Sequence, residues 1–392
     1  MKNHHSIIGA VAITILGMES GIAFDSGSDG SFGPLDVGSG SRTIQLPPDG
    51  VLNCTTINIA ANADLRFTRN ATNTPIYLLS TGDITISGRI WITGSSPTGK
   101  RGGASGPGGF DGGQGGANPS DGFGPGAGKA GWVTSGPPNG EEIRGGGGFG
   151  TSGTPATTGG STYGNSLLIP LVGGSGGGGG NHGDVSSQFG GGGGGGAILI
   201  ASNTSISISQ NSSNGIYAYG GSPNTSNGGG SGGAVRLVAP VVSGSANVQI
   251  WSDWGGGHGR IRVDALSNSI TFFDSVRGTS QNHVTSGANM VVFPPNMPEV
   301  RITQAAGTSI AVSQTDPVFV LLPPGSPASQ QVHVQVKDFH GVVPLVAVVT
   351  PEAGGRTSYN LDVDNSSGGT STGSVVVQIP AGVSTRVDVW TR

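Results

Sequence analysis

Apolar and polar residues alternate with a period of two over many short stretches between residues 40 and 275, separated by turns of Asn, Ser, Thr and Gly. Such alternation sets one side of an extended segment against a core and leaves the other outside, so it predicts strands. Two of these stretches are copies of each other. Residues 76–87 align without gaps onto 198–209: Ile76, Leu78, Ile84 and Ile86 fall on Ile198, Ile200, Ile206 and Ile208, and Ser80 and Ser87 fall on Ser202 and Ser209. A glycine-led strand follows each copy, at 88–92 and 215–219. A third unit runs from 233–238 to 248–251, and a shorter fourth from 259–263 to 270–272. Further strands precede the first copy at 55–59 and 63–67.

No unit of two or three short strands can bury its apolar side alone, so the units must stack on a shared core. Short strands with no helix between them predict an all-β fold: a right-handed parallel β-helix, with Ile, Val and Leu inward and Ser, Thr, Arg and Asp outward. A β-sandwich is the rival arrangement for this segment.

Between the first two copies, residues 94–196 hold 42 of the chain's 77 glycines. Glycines 103, 106, 109, 112 and 115 keep a period of three, that of an extended polyproline-II-type helix. Phe110, Phe123, Trp132, Phe149, Tyr163 and Phe189 are spaced through the block, more aromatics than a disordered linker carries. The expectation is a large glycine-rich insertion forming a compact lobe on the coil. Past residue 297 glycine thins out. Strands are predicted at 300–302, 309–312, 318–322, 332–336, 344–350, 359–363, 375–379 and 386–390, as in an immunoglobulin-like β-sandwich over 298–392. The domain plan is therefore 1–23 as a signal peptide, 24–297 as the β-helix with its insertion, and 298–392 as the sandwich.

The signal rests on Lys2, the apolar run 7–18, too short to span a bilayer, and Gly21 and Ala23 at the positions a cleavage site uses. No membrane span is expected after cleavage, and the destination is the secreted or cell-surface space. Charged residues are 10% of the chain and the net charge is −4, so no electrostatic footprint for nucleic acid is present. Cys54 is the only cysteine and reads as a small buried apolar side chain.

The stacked repeats across about 40–275 resemble the pectin-lyase-like parallel β-helix superfold of secreted bacterial proteins and phage tailspikes. The glycine block resembles the polyglycine-rich lobes of some phage tail-tip adhesins. Gly-Gly-Ala-Val-Arg-Leu-Val-Ala (232–239) and Gly-Gly-Ala-Ile-Leu-Ile-Ala (195–201) are similar to segments of glycine-rich bacterial exported proteins. These resemblances imply an extracellular setting and carry over no functional residue.

The densest polar and aromatic cluster is 251–264. His258, Arg260, Arg262 and Asp264 alternate and would share one strand face, with Arg236 beside Arg262 if register is kept; Trp251, Asp253 and Trp254 lie just upstream. Aromatic rings stack on pyranose faces and arginine forks grip carboxylates, so these eight residues are the candidate ligand-binding set. A solvated outer face of Arg–Asp ladders is the structural alternative. A hydrolase would need two carboxylates about 5 to 9.5 Å apart, and only Asp253 and Asp264 occur in the cluster. Neither 362–365 nor Asp25, Asp29 and Asp36 has calcium-loop spacing, and His182 has no second histidine at ligand spacing. No catalytic residue, metal or cofactor is therefore expected. The leading expectation is a non-catalytic adhesion protein that recognises an extracellular polysaccharide or other cell-surface component. A polysaccharide lyase or glycoside hydrolase is the alternative, followed by a structural coat protein or one that orders water on a Thr/Ser face. Absent Thr-x-Thr ladders, with only short runs at 205–207 and 81–85, speak against the last.

Overall fold

The computed structural model describes residues 24–132, 144–155, 157–181, 189–209, 215–223, 228–272, 283–311, 318–352 and 356–391. The expected signal peptide and His182 lie outside them. The described residues are all-β, with strands and no helix.

A nine-stranded parallel sheet contains Gly33–Val37, Val51–Ile59, Ile76–Ser80, Ile84–Ile86, Ala197–Ser202, Ser205–Ser209, Ala234–Ala246, Arg260–Phe272 and Val284–Gly287. A five-stranded parallel sheet contains Ser41–Gln45, Asp64–Thr68, Arg89–Trp91, Gly215–Tyr217 and Val248–Gln249. The internal repeat is the stacking register of the first sheet. Ile198, Ile200 and Ser202 pair with Ile76, Leu78 and Ser80, and Ile206 and Ile208 with Ile84 and Ile86. The third and fourth units stack next, Val235 on Ile198 and Ile261 on Val235. The glycine-led strands pair one residue off the sequence alignment: Gly215 lies beside Arg89, because Ile216 must meet Ile90 in the core.

Inward Leu52, Ile57, Leu78, Ile84, Ile90, Ile200, Ile206, Ile216, Leu237 and Ile261 form one apolar core between the sheets, with Cys54 buried among them. That burial raises the Cys54 thiol pKa to about 11, with Arg42 opposing it weakly. The long strand Ala234–Ala246 divides the first sheet into two halves. Its beginning pairs with Ala197–Ser202, and its end pairs with Ser205–Ser209.

The described residues of the glycine-rich insertion pack together. Its backbones hydrogen-bond segment to segment: Gly113 N–H to Gly177 O, Gly177 N–H to Gly192 O, and Gly192 N–H to Gly228 O, each at 2.9 Å. A Cβ on Gly177 would stand 2.0 Å from Gly228 O, closer than any real contact, so the absence of side chains is what allows this packing. The lobe also recruits glycines beyond 94–196. Gly230 accepts from Ser252 Oγ, and Gly147 O accepts from Gly257 N–H.

Residues 299–391 form two antiparallel sheets of four and three strands sharing one core, which includes Val334, Val336, Leu345, Ala347 and Val349. The expected strand at 318–322 is absent. Pro323 and Pro324 end the run, no strand among the described residues pairs with it, and Phe319 and Leu321 are 94% exposed. This unit rests on the glycine lobe. Trp390 lies 5.9 Å from the Phe110 ring and 6.0 Å from Phe123, and Arg356, 4.2 Å above Phe123, donates to Asp121 O and Gly122 O.

Candidate functional site

The second sheet presents an outward column of large side chains. Arg66, Trp91, Tyr217 and Gln249 are in-register neighbours on four successive strands. Inward Leu65, Ile90, Ile216 and Val248 anchor those strands in the core, so alternation alone sends this column outward. Trp91 and Tyr217 stack at 4.4 Å and 14°, and the Arg66 guanidinium covers Trp91 from 4.6 Å. Two residues further along, Tyr219 stacks on Trp251 at 5.2 Å and 16°. The Trp251 indole N–H donates to Gln249 Oε1 at 3.3 Å.

A cleft of about 250 Å3 opens where this column meets the glycine lobe. Tyr217, Tyr219, Gln249, Trp251 and Asp253 form one wall, and Gly94, Ser96 and Gly220–Ser222 form the other. It is smaller than the ~300–1,000 Å3 of an ordinary small-molecule pocket, so a long ligand would lie across it. Burial raises the pKa of the Tyr217 and Tyr219 hydroxyls, which keeps both protonated as donors. Nearby, Asp64 accepts from Arg89 Nε at 2.5 Å and Arg66 Nη2 at 3.1 Å. Burial raises the Asp64 pKa, but the Trp91 indole, close by though outside good hydrogen-bond geometry, and the two arginines together pull it below the usual value.

The eight residues singled out in the sequence separate into three groups. Trp251 and Asp253 line the cleft. Trp254 follows them in the left-handed region (φ 53°) and is 47% exposed. His258 and Arg260 turn toward the lobe: His258 stacks on His283 at 5.1 Å, and Arg260 lies 5.6 Å from the Phe149 ring and donates to Tyr163 O.

Arg236, Arg262 and Asp264 form the third group, and their face is not solvated. Arg236 is 1% and Asp264 0% exposed. Register places Arg236 beside Arg262, as expected, but Phe149, Leu168, Leu171 and Val292 cover the outer side of this half-sheet. Arg236 donates to Asp264 Oδ2 through Nε (3.2 Å) and Nη2 (3.0 Å), and Arg262 to Oδ1 through Nε (2.9 Å) and Nη2 (2.6 Å). Asn289 N–H also donates to Oδ1, and Arg262 Nη1 holds Ser286 O. The cluster therefore ties 286–289 onto the nine-stranded sheet. Clamped and dry, Asp264 cannot act as a second carboxylate beside Asp253 in the cleft.

Sequence reading missed Trp91, Tyr217 and Tyr219 as site residues. The signal was present, since all three stand at alternate positions of the strands that follow the two repeat copies. Only the stacking register shows that they converge on Trp251. No protein-family model, curated protein or solved structure matches this chain.

Proposed function

We propose that the chain is an exported, surface-displayed binding protein whose coil holds an extracellular glycan without cleaving it. In this reading the two stacked parallel sheets are a right-handed parallel β-helix of the pectin-lyase-like kind. The glycine lobe braces it, and the C-terminal sheets are an immunoglobulin-like sandwich that spaces or docks it. The observation that carries the proposal is the cleft. A rigid aromatic wall of Tyr217, Tyr219 and Trp251 stands beside Gln249, Asp253 and two protonated tyrosine hydroxyls. Apolar C–H faces of a sugar suit the rings, and its hydroxyls suit the polar groups around them.

Retention of soluble polysaccharides, acidic and neutral, in affinity electrophoresis with the full chain tests this. At least one polymer should retard the protein, Trp251→Ala and Tyr219→Ala should each weaken retention about tenfold, and polymer length should stay constant. Retention that survives both substitutions overturns the assignment to the cleft. Shortening of a polymer would make the protein an enzyme and overturn the non-catalytic reading.

A further inference from the structure

The second half of the first sheet carries outward side chains unlike those of the other two faces of the coil. Its central column is Asp36, Asn58, Thr85, Ser207, Ser243 and Ser269, each paired in register with the next. To one side stand Ser209, Ser245 and Thr271, again paired in register, with Ser87 hydrogen-bonded to Ser209. To the other side, Ser205 and Ser267 flank Val241. None of these side chains is buried, and the intervening Ile84, Ile86, Ile206, Ile208 and Val242 all point into the core. No bulge interrupts the register from Ile84–Ile86 to Arg260–Phe272.

We propose that this hydroxyl face binds ice. The inference is independent of the glycan reading, which concerns a different sheet. Among the described residues the face offers no aromatic platform, no arginine fork and no groove, so it has nothing to select a single flexible chain. Each hydroxyl bond to a ligand gains little net free energy because it replaces a bond to water, and a flexible partner loses more than that in ordering. Only a partner that is already rigid and periodic in two dimensions can meet many of these groups at once.

Spacing and hydrogen-bond chemistry then choose the partner. Neighbouring strands lie about 4.7–4.9 Å apart, and outward residues along a strand about 6.6–6.8 Å apart. This short two-way repeat is close to the spacing of equivalent oxygens on the surfaces of hexagonal ice, whereas glycan chains in a crystal repeat over a longer disaccharide length. A serine or threonine hydroxyl both donates and accepts, as a water molecule in ice does. Ladder bonds pre-set the hydroxyls, Ser87 to Ser209 at 2.8 Å and Ser245 to Thr271 at 3.1 Å, and each keeps capacity for water. Charge, which favours disordered hydration, is confined in these columns to Asp36 at the end and Asp83 beside Ser205. The Asp83 carboxylate is engaged by Thr204 Oγ1 (2.6 Å) and Ser205 Oγ (2.7 Å).

The test is nanolitre osmometry on the full chain, reading the gap between melting and freezing points and the shape of a seed crystal, together with a recrystallisation assay. The expected result is a measurable gap, faceted crystals and suppressed recrystallisation. Ser207→Lys and, at an exposed position, Thr85→Lys should each abolish at least nine-tenths of the activity while leaving the melting temperature and circular dichroism unchanged. Ser358→Lys, on the C-terminal sheets, should have no effect. Absence of any gap or recrystallisation effect in the parent chain overturns the proposal, as does full activity in both folded lysine variants. Adsorption to crystalline cellulose or chitin with no effect on ice also overturns it, and moves the face to polysaccharide crystals.

Discussion

The hydroxyl oxygens of Ser87 and Ser209 lie 2.8 Å apart although 122 residues separate them along the chain. The separation equals the offset of the internal repeat, so alignment partners in the sequence are hydrogen-bond partners in space. The glycine lobe is inserted between the two copies, yet their strands stack directly. An insertion in the connection between two stacked parallel strands leaves register untouched because each strand is positioned by its inward Ile and Leu residues rather than by the length of the connection.

The buried Arg236–Asp264–Arg262 cluster should be intolerant of losing its one anion. Asp264→Asn keeps the volume but leaves two guanidinium groups buried without a counter-charge, a change that costs about 3–5 kcal/mol. Urea unfolding with an unchanged slope should report a loss of that size. A loss under about 1 kcal/mol would mean that water reaches the arginines and that the cluster does not hold the 286–289 segment down.

Backbone-to-backbone packing makes the lobe selective among glycines. Gly177→Ala places a methyl group against the Gly228 carbonyl, with the Gly229 carbonyl oxygen 2.6 Å away and no flexible side chain among the nearest atoms to yield. The cost should reach or exceed the ~1–3 kcal/mol of ordinary overpacking. Gly38→Ala, which meets nothing within 4 Å, should leave thermal stability unchanged within error. Equal melting temperatures for the two variants would contradict the described packing.

His258 and His283 stack beside Arg260, and the backbone N–H of His258 donates to Thr151 Oγ1. Burial lowers the pKa of both imidazoles, and for His283 the neighbouring His258 and Arg260 charges add to it. The folded state thus binds fewer protons here than the unfolded state, whose histidines titrate near ~6.5. This contribution to stability is complete above that value and is lost as pH falls through it toward the depressed folded values. The denaturation midpoint of the parent chain should drop between about pH 7 and 5. His258→Gln should flatten the drop, and an unchanged slope in that variant would remove the pair as its source.

Much of the architecture was legible because its cause is local. Alternation of Ile and Leu with polar residues predicts strands whatever lies nearby, and the copies at 76–87 and 198–209 predict stacking, since neither can bury its apolar side alone. Spaced aromatics such as Phe110 and Phe123 marked the lobe as packed, and they meet Trp390 in the structure. The apolar run 318–322 misled, because strand-like composition needs a partner strand and none is supplied.

The candidate sites were less legible. Arg262 and Asp264 look solvent-facing in sequence, and only the return of 286–293 and the lobe segment 149–172 over them decides that they are dry. Tyr217, Tyr219 and Trp251 become one wall only through the pairing of strands that carry them. The hydroxyl face is the clearest case: Ser205–Ser209, Ala234–Ala246 and Arg260–Phe272 contribute two or three serines or threonines each and Ile84–Ile86 one, too few to stand out, and stacking multiplies them into columns. Sequence by itself determined which residues point inward, because burial of apolar surface follows a period readable along one strand. Tertiary structure decided which outward residues are covered, which converge and which repeat across strands, because those depend on chain segments far apart in sequence arriving at the same face.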